Sequence, residues 1–492
     1  MFYPSFKDFK KKAQEGNLIP VYKEIYADME TPVSAFIKID ESNFSFLLES
    51  VEGGEKWGRY SFLGSGPSLI FKSKGREVTI ISDNKSRSFT TSTNPLDVLK
   101  EIMDKFRPVK IPGLPRFFGG AVGFLSYDFV RFFEEIPDYT KDELELPDAY
   151  FLLTDTMLIF DNISHKIKIV SNCYIDGKKS LEDLYKDAQK KITRLFNKLK
   201  NKTIKKTWFE QKPVNNKITL KSNFTEKSFA SMVRKAKGYV KRGDLIQVVL
   251  SQRMRAKIRK SPLDVYRALR IVNPSPYMFY LKLDGFHLVG SSPEVLVRVE
   301  DNKVELRPIA GTRRRGENEK KDLKLGRELL QDPKERAEHI MLVDLGRNDL
   351  GRIAKIGSVE VNELMVIERY SHVMHMVSNV RGLLDKKKNS FDVISACFPA
   401  GTVTGAPKVR AMEVIEELES TKRGPYAGAV GYFSFTGNMD TCITIRTLIF
   451  KNNEVYIQAG AGIVADSKPE LEYKETMNKA QAMVKALELA EG

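Results

Sequence analysis

Cysteine is nearly missing from this chain of 492 residues. Cys173, Cys397 and Cys442 are all it has, an odd number with no CxxC pair. A disulfide framework and a sulfur-ligated metal are excluded on that count, and a reducing, intracellular setting is expected. Histidine occurs five times and tryptophan twice. No apolar run approaches the roughly 18 residues that a membrane span requires. The opening stretch MFYPSFKDFKKKAQEG has neither the apolar centre nor the small-residue cleavage site of a secretion signal. A soluble, cytoplasmic protein is the expectation. No GxGxxG follows a strand pattern, and GTVTGAPK (401–408) lacks the spacing of a phosphate-binding loop. No internal repeat is visible.

What is present is core-forming material: 42% of residues are hydrophobic and 10% aromatic, which argues against disorder. The length suits two domains, or one large domain with a lobe, at about 100–200 residues each. The formal net charge is +16, which attracts anionic partners. The lysines are scattered, with one denser run near Lys198–Lys217, and no helix pattern interleaves a basic face with aromatics. Nucleic acid is therefore not the expected partner.

Residues 1–170 read as mixed strands and short helices. Residues 105–128 are rich in Pro, Gly and aromatics, as loops around a sheet are. Residues 150–172 look like a hairpin turning at Asp161-Asn162, and 181–199 like an amphipathic helix. The polar, Lys/Asn-rich stretch 200–222 is the linker candidate. It divides an N-terminal region, 1–222, from a C-terminal one, 223–492. The latter opens with Asn-Phe-Thr-Glu, a capping signal for a helix over 223–242. Residues 426–464 carry three strand patterns broken at Thr436-Gly437-Asn438 and Lys451-Asn452-Asn453, connections short enough to join only antiparallel neighbours.

Two acidic pairs carry the candidate chemistry. Asp332 suits a helix cap and Pro333 a first helical position, which places Glu335 and Glu338 on one helix face. Asp466-Ser-Lys-Pro469 looks like a second helix start, and Glu472 and Glu475 repeat the i, i+3 spacing. Two such pairs could converge on a hard cation, which takes one or two carboxylates directly and keeps water or substrate oxygens for the rest. Spacing alone equally describes a solvated helix face.

The surrounding runs decide between these readings. AEHIMLVDLGRNDLGR (337–352), PAGTVTGAPK (399–408), RGPYAGAVGYF (423–433), TCITIRT (441–447), IQAGAGIVADS (457–467) and EYKET (472–476) closely resemble the chorismate-utilising enzymes, over about residues 20–485. That family makes anthranilate, aminodeoxychorismate, isochorismate and salicylate. The resemblance implies an α+β fold of two packed, largely antiparallel sheets flanked by helices, an α/β/β/α sandwich. It casts 1–222 as a regulatory region and 223–492 as the chorismate-binding one, sharing an interleaved sandwich. Two positions choose within the family. Ala310 stands where aminodeoxychorismate synthases usually carry a nucleophilic Lys. Gln247 stands where isochorismate and salicylate synthases usually carry a Lys base, and an amide cannot deprotonate water. Ammonia needs no base, so an anthranilate-forming member is implied, with an aminodeoxychorismate-forming one as the alternative.

The resemblance also implies roles. Mg²⁺ would be held by Glu338 and Glu475, with Glu335 and Glu472 in support, and would grip the ring carboxylate. Arg446 and Tyr426 would bind the enolpyruvyl carboxylate, Arg446 on a strand pointing opposite to Ile445. Gly460, Ala461 and Gly462 would let the backbone approach, as would Gly311 and Thr312, and Thr402 would bond at the ring. Glu294 would be the general acid, with a pKa raised by burial or negative neighbours. His375, in an HxxS setting with Ser378, would assist proton transfer, whereas His372 reads as structural. Ammonia would come from a separate glutamine amidotransferase subunit, since no glutaminase nucleophile is evident here. Ser50, Pro276, Tyr277 and Met278, with Val430, Tyr432 and Cys442, resemble a tryptophan feedback site. Cys442, four residues before Arg446, suggests a mechanical link between the two sites.

Overall fold

The computed structural model describes residues 1–51, 58–83, 85–204, 209, 218–370 and 373–491. His372 and most of the central part of the linker candidate lie outside these residues.

Two large antiparallel sheets form the molecule. The first runs, in spatial order, Leu18–Tyr26, Lys166–Tyr174, Thr156–Asp161, Tyr60–Ser65, Ser45–Glu49, Tyr277–Leu283, Phe286–Ser292, Thr447–Lys451, Glu454–Ile463, Gln247–Lys257 and Lys221–Ser222. The second runs Ile309–Arg314, Val373–Leu383, Lys303–Leu306, Val295–Glu300, Met439–Ile443, Ala429–Ser434, Gly120–Leu125, Ala149–Thr154, Leu69–Lys74, Glu77–Ser82 and Lys85–Thr90. Each sheet joins a block of strands from before the linker candidate to a block from after it, meeting where Ser45–Glu49 pairs with Tyr277–Leu283 in the first and Gly120–Leu125 with Ala429–Ser434 in the second. The sheets are joined by aromatic side chains of their facing surfaces. Phe117 stacks on Tyr432 at 4.0 Å and meets Phe62 edge-on at 5.1 Å, and Phe124 meets Phe286 at 6.0 Å. Each such pair adds about 0.5–1.5 kcal/mol to its area burial.

Helices flank the sheets. Leu181–Asn201, Glu226–Lys241, Pro262–Val272 and Pro469–Glu491 pack on the first sheet, and Pro333–Gly351 and Ser390–Cys397 on the second. The helix expected over 223–242 is capped by Thr225 in a reciprocal box with Ser228. Asp332 accepts from the backbone N–H groups of Lys334 and Glu335 and so starts the helix of the first acidic pair.

The strand boundaries differ from the sequence reading in three places. The expected hairpin over 150–172 is two elements, because the chain leaves the second sheet at Thr154 and enters the first at Thr156; the hairpin itself is 156–174. The loop-like stretch 105–128 ends in a fully buried strand, Gly120–Leu125, whose Gly123 lies so close to Tyr150 that a Cβ would fall 1.8 Å from its carbonyl oxygen. The three strands expected over 426–464 are four. Met439–Ile443 belongs to the second sheet and Thr447–Lys451 to the first.

That last change of sheet has a counterpart beside it. The chain also passes from Phe286–Ser292 in the first sheet to Val295–Glu300 in the second, across Pro293 and Glu294. Pro293 has no N–H to offer a ladder. Arg446 makes the reverse passage with a left-handed φ of 52°. The two passages are tied together: Ser291 N–H donates to the Arg446 carbonyl and Ile443 N–H to the Glu294 carbonyl, both at 3.1 Å. Glu294 and Arg446 thus sit where two antiparallel segments trade sheets.

Candidate active site

A cavity of about 690 Å³ opens at this exchange. It is lined by Gln247, Glu294, Ala310, Gly311, Thr312, Glu335, Glu338, His375, Thr402, Tyr426, Arg446, Gly460, Gly462, Glu472 and Glu475. Every substrate, catalytic and metal candidate from the sequence is therefore gathered here except Ala461. Ala461 is fully buried among the apolar side chains behind the sheet, because strand alternation turns Gly460 and Gly462 inward and Ala461 away.

Glu294 is buried at 5% exposure. Thr402 Oγ1 donates to its Oε1 at 2.7 Å, so Thr402 reaches the acid. Burial pushes the Glu294 carboxyl up to about 8, against the bond from Thr402. The group is a protonated acid at neutral pH.

Arg446 is partly buried. Its guanidinium donates to the Lys479 carbonyl and forms no ion pair with a carboxylate among the described residues. Desolvation pulls its pKa down, against the more distant charge of Glu475. A partly desolvated cation on a cavity wall is a site for an anion, and a guanidinium offers two parallel donors to a carboxylate. The expected placement of Arg446 on a strand, and of Cys442 on that same strand, does not hold. Arg446 lies in the passage between sheets, and Cys442 ends up in a different sheet from the strand that follows.

His375 Nδ1 lies 3.2 Å from the Gly311 carbonyl and 3.0 Å from Thr312 Oγ1. A bulge between Ala310 and Thr312 turns that carbonyl out of its ladder, with Gly311 at φ 67°. Burial lowers the His375 pKa and Arg446 adds to the effect, so the ring is neutral with Nδ1–H toward Gly311 and Nε2 basic. Ser378, three positions on and so on the opposite face of the strand, bonds His339 Nε2 at 2.6 Å.

The four glutamates share one wall. Burial raises the pKa of Glu338, and Glu335 and Glu475 raise it further; burial and Glu475 do the same for Glu472. Gln247 Nε2 donates weakly to Glu338 at 3.4 Å. Glu475 pairs with Lys479 at 2.7 Å and Glu335 with Arg313 at 3.0 Å. Among the described residues no three acidic or ligating groups form a ready-made cage. The donors nonetheless fit a hard cation that uses one or two carboxylates, since all are oxygens and their mutual repulsion asks for positive charge.

Sequence reasoning missed Lys479, whose Nζ also donates to the Gly460 carbonyl at 3.0 Å, and Lys334 and Arg314 on the cavity wall. The i, i+4 spacing of Glu475 and Lys479 was the available signal.

A second cavity, of about 370 Å³, lies between the sheets and contains all seven residues of the expected feedback site: Ser50, Pro276, Tyr277, Met278, Val430, Tyr432 and Cys442. Its polar wall was not foreseen. Arg116 bridges Glu300 at 2.7 Å and Asp440 at 2.9 Å, and Tyr277 donates to Asp440 at 2.9 Å. Glu49, also on this wall, accepts from Tyr266 and has its pKa raised by burial. The two cavities adjoin through the exchange, because Tyr277 pairs with Ser292 and Cys442 with Val295. No helix among the described residues is long and apolar enough to cross a membrane.

Comparison with known proteins fits this geometry. The family model for chorismate binding enzyme matches residues 47–485. Anthranilate synthase component 1 of Acetivibrio thermocellus is 50% identical over 493 residues, spanning 100% of this chain and 99% of that protein. The protein of the same name from Aquifex aeolicus is 49% identical, spanning 99% and 98%. The crystal structure of anthranilate synthase component I from Streptococcus pneumoniae superposes with a TM-score of 0.75 at 36% identity, covering 94% of this chain and 98% of that one.

Proposed function

Because the chain belongs to the family of chorismate binding enzymes, we propose that it is the chorismate-aminating component of an anthranilate synthase. It adds ammonia to chorismate and eliminates pyruvate to give anthranilate, opening the route to tryptophan in the cytoplasm. The observation that carries the reading is the pairing, in one cavity, of a protonated buried acid, Glu294, with a partly buried arginine, Arg446, that has no ion-pair carboxylate among the described residues. Ala310 and Gln247 supply no lysine for a covalent or water-activating route.

Arg446 and the Tyr426 hydroxyl hold the enolpyruvyl carboxylate. Glu294 gives its proton to the C4 hydroxyl, which leaves as water while the C2–N bond forms and the double bond shifts. The neutral His375, fixed through Nδ1, presents Nε2 for the proton transfer that releases pyruvate. Gly311, Gly460 and Gly462 keep the wall low where the ring lies. Glu338 and Glu475, supported by Glu335 and Glu472, would hold Mg²⁺, which when bound neutralises the ring carboxylate and charge developing on the ring.

Ammonia comes from a glutamine amidotransferase partner, component II, in a hetero-oligomer; free ammonium replaces it in vitro. The inter-sheet cavity binds tryptophan as feedback inhibitor, offering aromatic walls with acidic and basic groups for a zwitterion. The test mixes protein, chorismate, Mg²⁺ and ammonium and follows blue anthranilate fluorescence. Signal that disappears with EDTA is expected. A para-amino product, or no product, overturns the reading. Ser50→Phe should leave turnover intact and abolish inhibition by tryptophan; unchanged inhibition would overturn the feedback assignment.

A further inference from the structure

A small pocket of about 40 Å³ lies on the other side of the Glu294–Thr402 pair. Both residues line it and the main cavity alike. Its remaining walls are mostly apolar, among them Leu306, Leu342, Leu345 and Ile443. Leu342 and Leu345 come from the helix Pro333–Gly351, one and two turns beyond Glu338. Opposite them is Gly401, where a Cβ would meet Leu345 Cδ1 at 2.7 Å, so a side chain at 401 would narrow the pocket. Away from Glu294 the walls end in Asp349, paired with Lys408 at 2.7 Å, and in Arg307, paired with Glu368.

The pocket is too small for chorismate and large enough for a few waters. Its charged wall groups are already engaged, Asp349 with Lys408 and Arg307 with Glu368, so an ion would lose hydration there without compensation. A small neutral molecule fits both limits. The reaction produces one at this spot. The C4–O bond breaks, the proton of Glu294 joins the departing oxygen, and water is born beside the acid. The new C2–N bond leaves an ammonium whose released proton restores Glu294, so protons balance without another donor. A water that stayed would be placed to re-add at C4 and reverse the step.

We propose that this side pocket is a port that takes up the water released at C4. The proposal rests on the amination reading above. Filling the port slows turnover without weakening chorismate binding. Leu345→Phe, and independently Ala400→Leu from the facing wall, should each lower kcat about tenfold with KM for chorismate unchanged within about twofold, the signature of a step after binding. Leu345→Ala, which widens the pocket, should keep kcat within about twofold of wild type despite its lost packing. Full kcat in both filling variants overturns the port, as does an equal loss in Leu345→Phe and Leu345→Ala, which would mark Leu345 as packing alone. A wild-type protein that makes no anthranilate overturns the amination reading itself, a separable result.

Discussion

At Ser65–Leu69 and at Ser292–Val295 the backbone leaves the first sheet for the second, and in each case a neighbouring segment, Thr154–Thr156 or Ile443–Thr447, makes the reverse passage. The N-terminal exchange turns on Gly66, at φ 71°, followed by Pro67. Its tie is Ser68 N–H to the Leu153 carbonyl at 2.9 Å, and its charged residue, Asp155, meets Lys191 at the surface at 2.7 Å. The C-terminal exchange has no glycine, buries Glu294, half-buries Arg446, and gives neither an ion pair among the described residues. The same topological device therefore does two things. Where its groups are solvated and paired it is a corner; where they are withdrawn from water they line a cavity. Function resides in the residues placed on the fold, not in the fold.

Substitutions can test that contrast. Glu294→Gln removes the acid while keeping an acceptor for Thr402, and anthranilate formation should fall about 10³-fold in kcat, within the range for general acids. A drop below tenfold would remove Glu294 from the chemistry. Arg446→Lys keeps the charge and loses the two-pronged donor, so kcat/KM for chorismate should fall about 100-fold through KM. The pH profile gives the next effect. Glu294 must be protonated, so kcat should decline as pH rises through about 8. Thr402→Val removes a bond that favours the carboxylate and should move that limb to higher pH. The same shift acts on stability. The folded protein binds this proton more tightly than the unfolded chain, so stability is lost as pH rises from the ordinary glutamate range to about 8, and Glu294→Gln should relieve that loss in melting curves at pH 9 and not at pH 4. At the other exchange Asp155→Asn should leave kcat and KM unchanged and cost less than about 1 kcal/mol, as surface pairs do. A kinetic defect there would dissolve the distinction.

The helices at 226–241 and 333–351 were legible because Thr225 and Asp332-Pro333 are strong local start signals, and the motifs around Glu338, Arg446 and Gly460 identified the cavity's contents. Both exchanges were hidden. From 439 to 451 the chain is β-rich throughout, and the break falls on Ile445-Arg446, which carries neither Gly nor Pro. Alternation reports which face a side chain takes, not which sheet the strand has joined. The wall of the second cavity was hidden for a related reason: Arg116 and Asp440 are 324 residues apart and are brought together only by the pairing of distant strands in the second sheet. Asn362, Leu364 and their neighbours on the exposed strand Glu360–Arg369 gave no pattern that set them apart.

The joining of early and late strands in each sheet also bears on how the molecule is made. In the first sheet, Ser45–Glu49 pairs with Tyr277–Leu283, and Phe286–Ser292 with Thr447–Lys451. The strand Glu454–Ile463, near the end of synthesis, is what closes Gln247–Lys257 onto the rest. Contacts of such sequence separation form slowly, since long loops must close first. A nascent chain released about forty residues short would lack Glu454–Ile463 and leave the first sheet incomplete with open edges, exposed to pairing with other chains. Completion of the active site and protection from aggregation thus arrive together, with the same strands.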